Sequence, residues 1–265
     1  MHYIDRLNIL PNTQQRFGNY FNSQPELAHL VNGNLKRDSI VIYGKSGSGI
    51  THVLNAICNT YIDHNKKVFC INTQWLLHIE KLLKFDHDVD IFLESLMKFD
   101  VIAIDNLQLL YHKSNVRKQF MIDIINFAHI NGKSIILGCS NPDRDFTKSK
   151  KLAQDFNFQR IELKELSTYD VFKALTNLCT PEDEIPEALL YAISGYNGMI
   201  QQHIQCLISI RFNPLLKAIK GKDLAIEDYE RLFNIKSYFP KQQFRKCFYQ
   251  MKFDFTGISL SKMSH

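Results

Sequence analysis

Long apolar runs, a signal-peptide pattern and paired cysteines are all missing from this 265-residue sequence. No apolar run approaches the roughly 18 residues of a membrane-spanning helix, so no membrane span is expected. The amino terminus does not place an apolar stretch after a basic one, as a signal peptide would. The six cysteines form no C-x-x-C pair and the ten histidines show no ligand spacing, which argues against a disulfide framework and a metal site. We therefore expect a cytoplasmic protein with reduced cysteines.

Excess positive charge is also missing from most of the chain. The whole sequence has 32 Lys and Arg against 27 Asp and Glu, a net charge of +5. Residues 236–265 alone carry six basic residues and one acidic residue, which is the same +5, so residues 1–235 sum to zero. This basic tail also holds seven aromatic residues, several at helical spacing. We interpret it as a packing helix, a protein-docking segment or a nucleic-acid-binding segment with Lys241, Arg245 and Lys246.

An apolar run, a glycine-rich turn and a helical pattern follow one another at residues 40–56. Gly44, Gly47 and Gly49 have the spacing of a phosphate-binding loop, G-x-x-x-x-G-K-[ST], in the strand–turn–helix context that this motif requires. Glycines let the backbone fold tightly and turn its N–H groups toward phosphate oxygens, and the helix dipole adds to the attraction. Thr51 stands where a hydroxyl would hold Mg²⁺. The stretch therefore indicates descent from a nucleotide-binding loop.

The lysine of this motif is missing, because the sequence has Ile50 at its position. The ammonium of that lysine would reach the outer phosphates of a nucleotide. Lys45 lies inside the loop, but its side chain starts five residues earlier and does not replace the missing charge in an obvious way. A glycine-rich turn that binds nothing is the alternative to a nucleotide site. Ile50 is the first reason to doubt ATP hydrolysis.

A second apolar stretch, DVIAID at residues 100–105, ends in a carboxylate. Continuous apolar strands are typical of parallel sheets that are buried on both faces. An acid at the carboxyl end of such a strand, after a phosphate loop, has the Walker B position that holds the Mg²⁺ shell. The alternative is that Asp105 merely caps the next helix. Asn106 follows it, and a neutral amide cannot act as the base that activates water.

Strand-like and helix-like segments alternate over the first part of the chain. Apolar runs predict further strands at 68–71, 134–139 and 160–163. Helical patterns occupy 25–35, 51–65, 73–98 with a break near 86–88, and 116–130. This alternation predicts an α/β fold with a five-stranded parallel sheet sandwiched by helices.

From residue 168 onward the pattern is helical only. It predicts helices at 169–179, 186–194, 198–211 and 226–233. We expect these helices to form a separate lid after the α/β layer. The expected parts are an amino-terminal arm at 1–24, the α/β subdomain at 25–166, the helical lid at 167–235 and the basic tail at 236–265.

Five stretches, in order along the chain, resemble the AAA+ domains of the DnaA family of bacterial replication proteins, which includes the regulator Hda and the DnaC and DnaI helicase loaders. GITHVLNA at 49–56 resembles GKTHLLHA, VIAIDNLQLL at 101–110 resembles LLIDDIQFL, and IILGCSNP at 135–142 resembles the sensor-1 stretch IILTSDRP. Residues 152–167 resemble the segment that carries the arginine finger, and residues 16–21 resemble the T-F-x-N-F stretch before the first helix. The match covers about residues 7–233.

The resemblance implies an AAA+ P-loop domain with a site for ATP or ADP and Mg²⁺. It implies that Thr51 and Asp105 would hold the Mg²⁺. The residues that it places around the nucleotide are Gly44, Lys45, Gly47, Ser48, Gly49, Thr51, His52, Asp105 and Ser140.

The departures from the family pattern remove the charges that the family directs at the triphosphate. Ile50 replaces the loop lysine, Asp155 falls at the arginine finger and Ile200 falls at the sensor-2 arginine, while Asn106 replaces the second acid. The sensor-1 polar residue is Ser140 or Asn141. An arginine finger alone contributes about 10³–10⁵ in rate. We therefore expect negligible ATP hydrolysis, and weak or absent nucleotide binding.

The resemblance implies a role in DNA replication initiation or its regulation, through contacts with an initiator, a replicative helicase or the sliding clamp. Leu7, Ile9 and Leu10 faintly resemble the clamp-binding peptide of Hda, and an apolar strap on the core is the alternative. A second hypothesis is an active ATP-dependent helicase loader or initiator in which Lys45 substitutes for the missing lysine. A third is a single-stranded-DNA-binding module that uses the basic tail and the helix carrying Lys81 and Lys84.

Overall fold

The computed structural model describes residues 10–17, 39–83, 85–110, 113–140, 158–180, 183–196, 200–219, 222 and 224–239. The chain divides into two compact units, with the division between Glu165 and Leu166. Two of the sequence-based expectations, the helix at 25–35 and the basic tail beyond residue 239, lie outside the described residues. None of the helices in the described residues combines the length and the hydropathy of a membrane-spanning segment.

The first unit is built on a five-stranded parallel sheet. Its strands, in chain order, are β1 (Ile40–Gly44), β2 (Val68–Asn72), β3 (Val101–Asp105), β4 (Ser134–Cys139) and β5 (Gln159–Leu163). In space the order is β2-β3-β4-β1-β5, and every pair is parallel. The carboxyl ends of β1, β3 and β4 therefore meet at one edge, where the phosphate loop and the acidic strand end come together.

Both faces of the sheet are covered by helices. On one face, α1 (Ile50–Asp63) packs its apolar side on Ile40, Ile42 and Ala103. On the other face, the core contains side chains from α2 (Thr73–Leu82), α3 (Asp86–Ser95) and α4 (Asn115–Ile130). Short 3₁₀ turns at Leu96–Lys98 and Leu107–Leu110 flank β3. The predicted α/β sandwich is confirmed.

The strand sequences explain this architecture. All five residues of β3 and all six of β4 are buried, as expected for central strands covered on both faces. The edge strand β5 instead exposes Gln159, Arg160 and Glu162 and buries Ile161 and Leu163. Polar residues on an edge strand keep its unpaired side from pairing with other chains.

The regular elements of the second unit, in its described residues, are helices and 3₁₀ turns, with an isolated bridge residue at Tyr196. After a capping box in which Ser167 and Asp170 exchange hydrogen bonds, α5 begins. The helices are α5 (Thr168–Leu178), α6 (Glu187–Ser194), α7 (Ile200–Arg211), α8 (Pro214–Ala218) and α9 (Ile226–Leu232), followed by a 3₁₀ turn at Ile235–Tyr238. Phe239 is buried in this unit and stacks on Tyr196 at 4.9 Å between ring centroids. Packing thus continues past residue 235, where the lid was expected to end.

Two details differ from the sequence-based prediction. The break that was expected near 86–88 lies just before Asp86, where α3 starts. The Asp88 carboxylate accepts the Phe85 backbone N–H at 3.0 Å, so the acidic residues open this helix instead of interrupting it. The short helix α8 was not predicted; Asn213 caps it through the Leu215 N–H, with Pro214 at its first position.

Candidate functional site

The loop between β1 and α1 is a tight turn that depends on glycine. Gly47 and Gly49 have φ angles of 88° and 94°, in the left-handed region that favours glycine. A Cβ on Gly44 would lie 2.5 Å from the carbonyl oxygen of Leu163 and 2.7 Å from Oγ of Ser48. The loop therefore passes against β5 too closely for any side chain at Gly44. This backbone has the compact form of a phosphate cradle.

Ile50 is the first residue of α1, and its side chain points into the protein. It is only 8% exposed and belongs to the apolar cluster between α1 and the sheet. A Cβ built on Gly138 of β4 would lie 3.1 Å from Cγ2 of Ile50 and 2.4 Å from Oδ1 of Asp105. The apolar side chain of Ile50 therefore lies beside the Asp105 carboxylate, at the position where the motif has its lysine.

Thr51 and Asp105 are brought together as the sequence predicted. The Thr51 hydroxyl donates to Oδ2 of Asp105 at 2.6 Å, and the Asn106 N–H donates to Oδ1 at 2.8 Å. The Thr73 hydroxyl donates to the Asp105 carbonyl at 2.7 Å. Burial raises the pKa of the Asp105 carboxyl, and the bonds from Thr51 and Asn106 oppose that rise. A hydroxyl and a carboxylate are ligands that suit Mg²⁺ in company with nucleotide phosphates.

A chain of neutral amides extends from Asp105 to the end of β4. Asn106 has a φ of 61°, a left-handed conformation that asparagine adopts more readily than most residues. Its Oδ1 accepts from Nε2 of Gln108 at 3.0 Å. Oε1 of Gln108 in turn accepts from the N–H of Ser140 at 3.1 Å. The polar residue Ser140 is therefore connected to the acidic strand end through Gln108, a residue that sequence reasoning had not singled out.

Lys45 has a carboxylate partner. Its Nζ lies 2.8 Å from Oε1 of Glu165, and both side chains are more than half exposed. Such an exposed pair contributes little to stability. The pair directs the ammonium of Lys45 toward the residues that follow β5.

The segment 10–17 is fastened along α1 by a polar stripe. Nδ2 of Asn55 donates to Oε1 of Gln15 at 2.6 Å, and Nδ2 of Asn59 donates to the carbonyls of Asn12 and Gln15, both at 2.9 Å. Farther along the helix, Asp63 forms an ion pair with Arg16. The signal in the sequence was the recurrence of polar residues at 52, 55, 59 and 63, which share one helix face.

His52, which the resemblance placed near the nucleotide, belongs to the same stripe. Its Nε2 lies 2.9 Å from the carbonyl oxygen of Arg16, and an oxygen acceptor requires that Nε2 carry the hydrogen. Burial lowers the pKa of this imidazole, an effect that the bond to Arg16 opposes.

The described part of the chain includes three other predicted site residues: Ile200, Leu10 and Lys81. Ile200 is the partly buried first residue of α7 in the second unit. Leu10 is 61% exposed and Lys81 is exposed on α2. The remaining residues lie outside the described part of the chain: Asn141, Asp155, Leu7, Ile9, Lys84, Lys241, Arg245 and Lys246. In the described part, no three His, Cys, Asp or Glu residues cluster as a metal site.

Comparisons with known proteins bear on the same region. The model of the bacterial DnaA ATPase domain matches residues 20–160. Domain III of the Thermotoga maritima replication initiation protein DnaA is 20% identical with a TM-score of 0.62, over 84% of this chain and 97% of that chain.

Two further solved structures are similar. A replication initiator DnaA bound to AMPPCP and single-stranded DNA is 20% identical with a TM-score of 0.59, over 84% of this chain and 69% of that chain. AMPPCP-bound DnaA from Aquifex aeolicus is 19% identical with a TM-score of 0.57, over 85% of this chain and 73% of that chain. At these identities the structures establish the fold, and the family model, which spans more than half of the sequence, establishes the relationship. This chain belongs to the family of bacterial DnaA ATPase domains.

Proposed function

We propose that this protein acts in the initiation of DNA replication or its regulation by binding other replication proteins, and that it does not hydrolyse ATP. The expected partners are an initiator, a replicative helicase or the sliding clamp. Membership of the DnaA family supports a role in DNA replication. The altered nucleotide loop supports a role that depends on protein contacts and not on ATP hydrolysis.

The burial of Ile50 is the observation that carries the proposal. A lysine at this position would supply the charge that holds the outer phosphates. Ile50 instead fills a packed apolar cluster beside Asp105, and Lys45 is engaged with Glu165. We therefore propose that the charge of the missing ammonium is not replaced within residues 44–51.

A nucleotide would have only part of the usual set of contacts. The backbone of residues 44–50 fits phosphate oxygens, and Thr51 and Asp105 fit Mg²⁺, which would neutralise part of the phosphate charge when bound. Two similar DnaA structures hold AMPPCP, so the fold is compatible with such a ligand. We propose weak or absent binding here, because the point charge is missing.

Hydrolysis lacks its chemical groups as well. Asn106 is neutral, and its amide is engaged with Gln108. By the family resemblance, Asp155 and Ile200 stand where two arginines would stabilise the transition state. Since phosphoryl transfer depends mainly on electrostatic stabilisation, we expect turnover far below that of an active switch ATPase.

The partner-binding proposal is tested with the purified initiator, replicative helicase and sliding clamp of the organism that encodes the protein. Biolayer interferometry should detect binding to at least one of them, with equal affinity with and without ATP. Thr51→Ala, which removes an Mg²⁺ ligand, should leave that affinity unchanged. Binding to none of the three, or binding that requires ATP and is lost in Thr51→Ala, contradicts the proposal.

A second candidate function, single-stranded-DNA binding, is favoured by the exposed side of α2. Trp75 is half exposed, and its ring lies 5.9 Å from that of His78. The exposed Lys81 follows His78 by three residues, so His78 and Lys81 are neighbours on the helix surface. Aromatic rings stack on bases and cations neutralise phosphates. One similar DnaA structure holds single-stranded DNA.

The single tryptophan makes this candidate directly measurable. Fluorescence of Trp75 should be quenched by an oligothymidylate, with an affinity that falls steeply as salt increases. His78→Ala and Lys81→Ala should each weaken the binding, whereas Lys118→Ala on α4 is the matched control. An absence of quenching at low salt excludes this face as the binding site.

A further inference from the structure

The outer side of α3 and the 3₁₀ turn after it carries a stripe of mixed character. We define the α3 stripe as Asp90, Ile91, Glu94, Met97 and Lys98, all of which are exposed. Ile91 and Met97 are 54% and 47% exposed, although both are large apolar residues. The opposite side of the same segment is buried in the core through Phe92, Leu96 and Phe99. The stripe is therefore held on a fixed surface of the first unit.

The charges of the α3 stripe are ordered along the chain, with acid first and base last. Asp90 and Lys98 lie four residues on either side of Glu94, and Ile91 and Met97 lie three residues on either side. A second copy, turned by a half rotation about an axis through Glu94, therefore presents base to acid and apolar residue to apolar residue. Self-complementary patches of this kind are what a two-fold dimer requires.

We propose that the α3 stripe is the interface of a two-fold dimer of this chain, with the two α3 helices antiparallel. Asp90 contacts Lys98 of the second copy, and Ile91 contacts Met97 of the second copy. Each pair occurs twice because of the symmetry. Leu82 and Phe85, which are 60% and 70% exposed, lie just before α3 and extend the apolar area.

The basic end of the stripe is fixed by neighbouring groups. Nζ of Lys133 donates to the Met97 carbonyl at 2.8 Å, which ties the 3₁₀ turn to the loop before β4. Nζ of Lys98 lies 5.3 Å from the ring centroid of Phe99, the next residue in the chain.

Other occupants fit the stripe less well. Nucleic acid would place its phosphates against Asp90 and Glu94, and like charges repel. An unrelated protein would need the reversed order of charges along an apolar ridge, which a second copy already has. The contact between two short helices is smaller than the roughly 800 Å² per partner of a standard interface. Standard interfaces range from micromolar to picomolar affinity, so we expect a dissociation constant of about a micromolar or weaker.

Sedimentation equilibrium of the full chain, up to about 200 μM so that mass action favours the dimer, tests the proposal. We expect a monomer–dimer equilibrium at low salt. Asp90→Lys and Lys98→Asp should each weaken it about tenfold or more, because each variant turns two attractive pairs into repulsive ones. Lys217→Asp, an exposed substitution in the second unit, is the control that should change nothing.

Mixing the two variants gives the sharpest outcome. One variant carries only basic charge at positions 90 and 98 and the other only acidic charge, so the mixture should form a heterodimer at least as tight as the wild type. Glu94→Gln should tighten the dimer, because it removes a like-charge contact near the axis. A monomer at all concentrations, a dimer that ignores both reversals, a mixture that stays monomeric or a weaker Glu94→Gln dimer overturns the proposal.

Discussion

The substitution Ile50→Lys restores the charge that the nucleotide loop lacks, and its consequences follow from the surroundings of Ile50. Cγ2 of Ile50 and Oδ1 of Asp105 lie 3.1 Å and 2.4 Å from the same point above Gly138. The two atoms are therefore at most the sum of these distances, about 5.5 Å, apart. A lysine that starts here can bring its ammonium close to Asp105 and to any phosphate in the loop.

The magnitudes favour a large gain in nucleotide affinity. At an effective dielectric constant of about 20, a lysine ammonium at position 50 and a phosphate oxygen about 5 Å away would attract each other by about 3 kcal/mol. A charged hydrogen bond to a phosphate contributes about 1.5–3 kcal/mol, which corresponds to roughly 10–100-fold in affinity. Losing the buried isoleucine costs about 1.5–3 kcal/mol of stability, partly offset by the apolar stem of the lysine.

Fluorescence of a labelled ADP with Mg²⁺ measures this gain, with Ile50→Met as the matched control. Methionine keeps the apolar volume and adds no charge, so its variant should bind nucleotide no better than the wild type. The Ile50→Lys variant should bind at least tenfold more tightly, without gaining hydrolysis. Equal affinities for the two variants would show that charge at position 50 is not what limits binding, and would refute the reasoning.

Three further predictions concern the supporting structure. Gly138→Ala places a Cβ 2.4 Å from Oδ1 of Asp105, so urea unfolding should show a loss of about 1–3 kcal/mol; a neutral result would contradict the packing. Asn59→Ala removes two hydrogen bonds to the segment 10–17 and should lower the free energy of unfolding by about 1–3 kcal/mol. It should also speed proteolysis of the segment 10–17, whereas Asn131→Ala, an exposed substitution, should leave that proteolysis unchanged. Burial raises the pKa of Asp105, so the wild type loses stability as pH rises above the pKa that Asp105 has in the unfolded chain. The free energy of unfolding of the wild type, relative to that of Asp105→Asn, should therefore fall between acidic and neutral pH. A rise in that difference would contradict the prediction.

The sheet was predictable because its strands are short apolar runs with clear ends. The predicted range 134–139 is that of β4, and the predicted range 68–71 differs from β2 by one residue. Buried parallel strands leave little choice of residue, so composition alone marks them. The proximity of Thr51 and Asp105 was expected from the resemblance, which assigned both residues to one Mg²⁺ site.

Side-chain contacts between distant segments were not predictable. Gln108 reaches Ser140 only because β3 and β4 are neighbours and Asn106 takes a left-handed conformation. The choice of Glu165 as partner of Lys45 depends on β5 lying next to β1. The break before α3 was expected a few residues farther along the chain, because acidic residues are typical both of breaks and of helix amino termini. Only the Phe85–Asp88 hydrogen bond distinguishes the two.

Phosphate release from ATP by the purified full chain is the most direct test of the central claim, with Asp105→Ala as the background control. The account predicts that the two proteins release phosphate at the same rate, below roughly 10⁻³ s⁻¹. Turnover above roughly 0.01 s⁻¹, the rate of a slow switch ATPase that keeps its arginine, and its loss in Asp105→Ala would contradict the account.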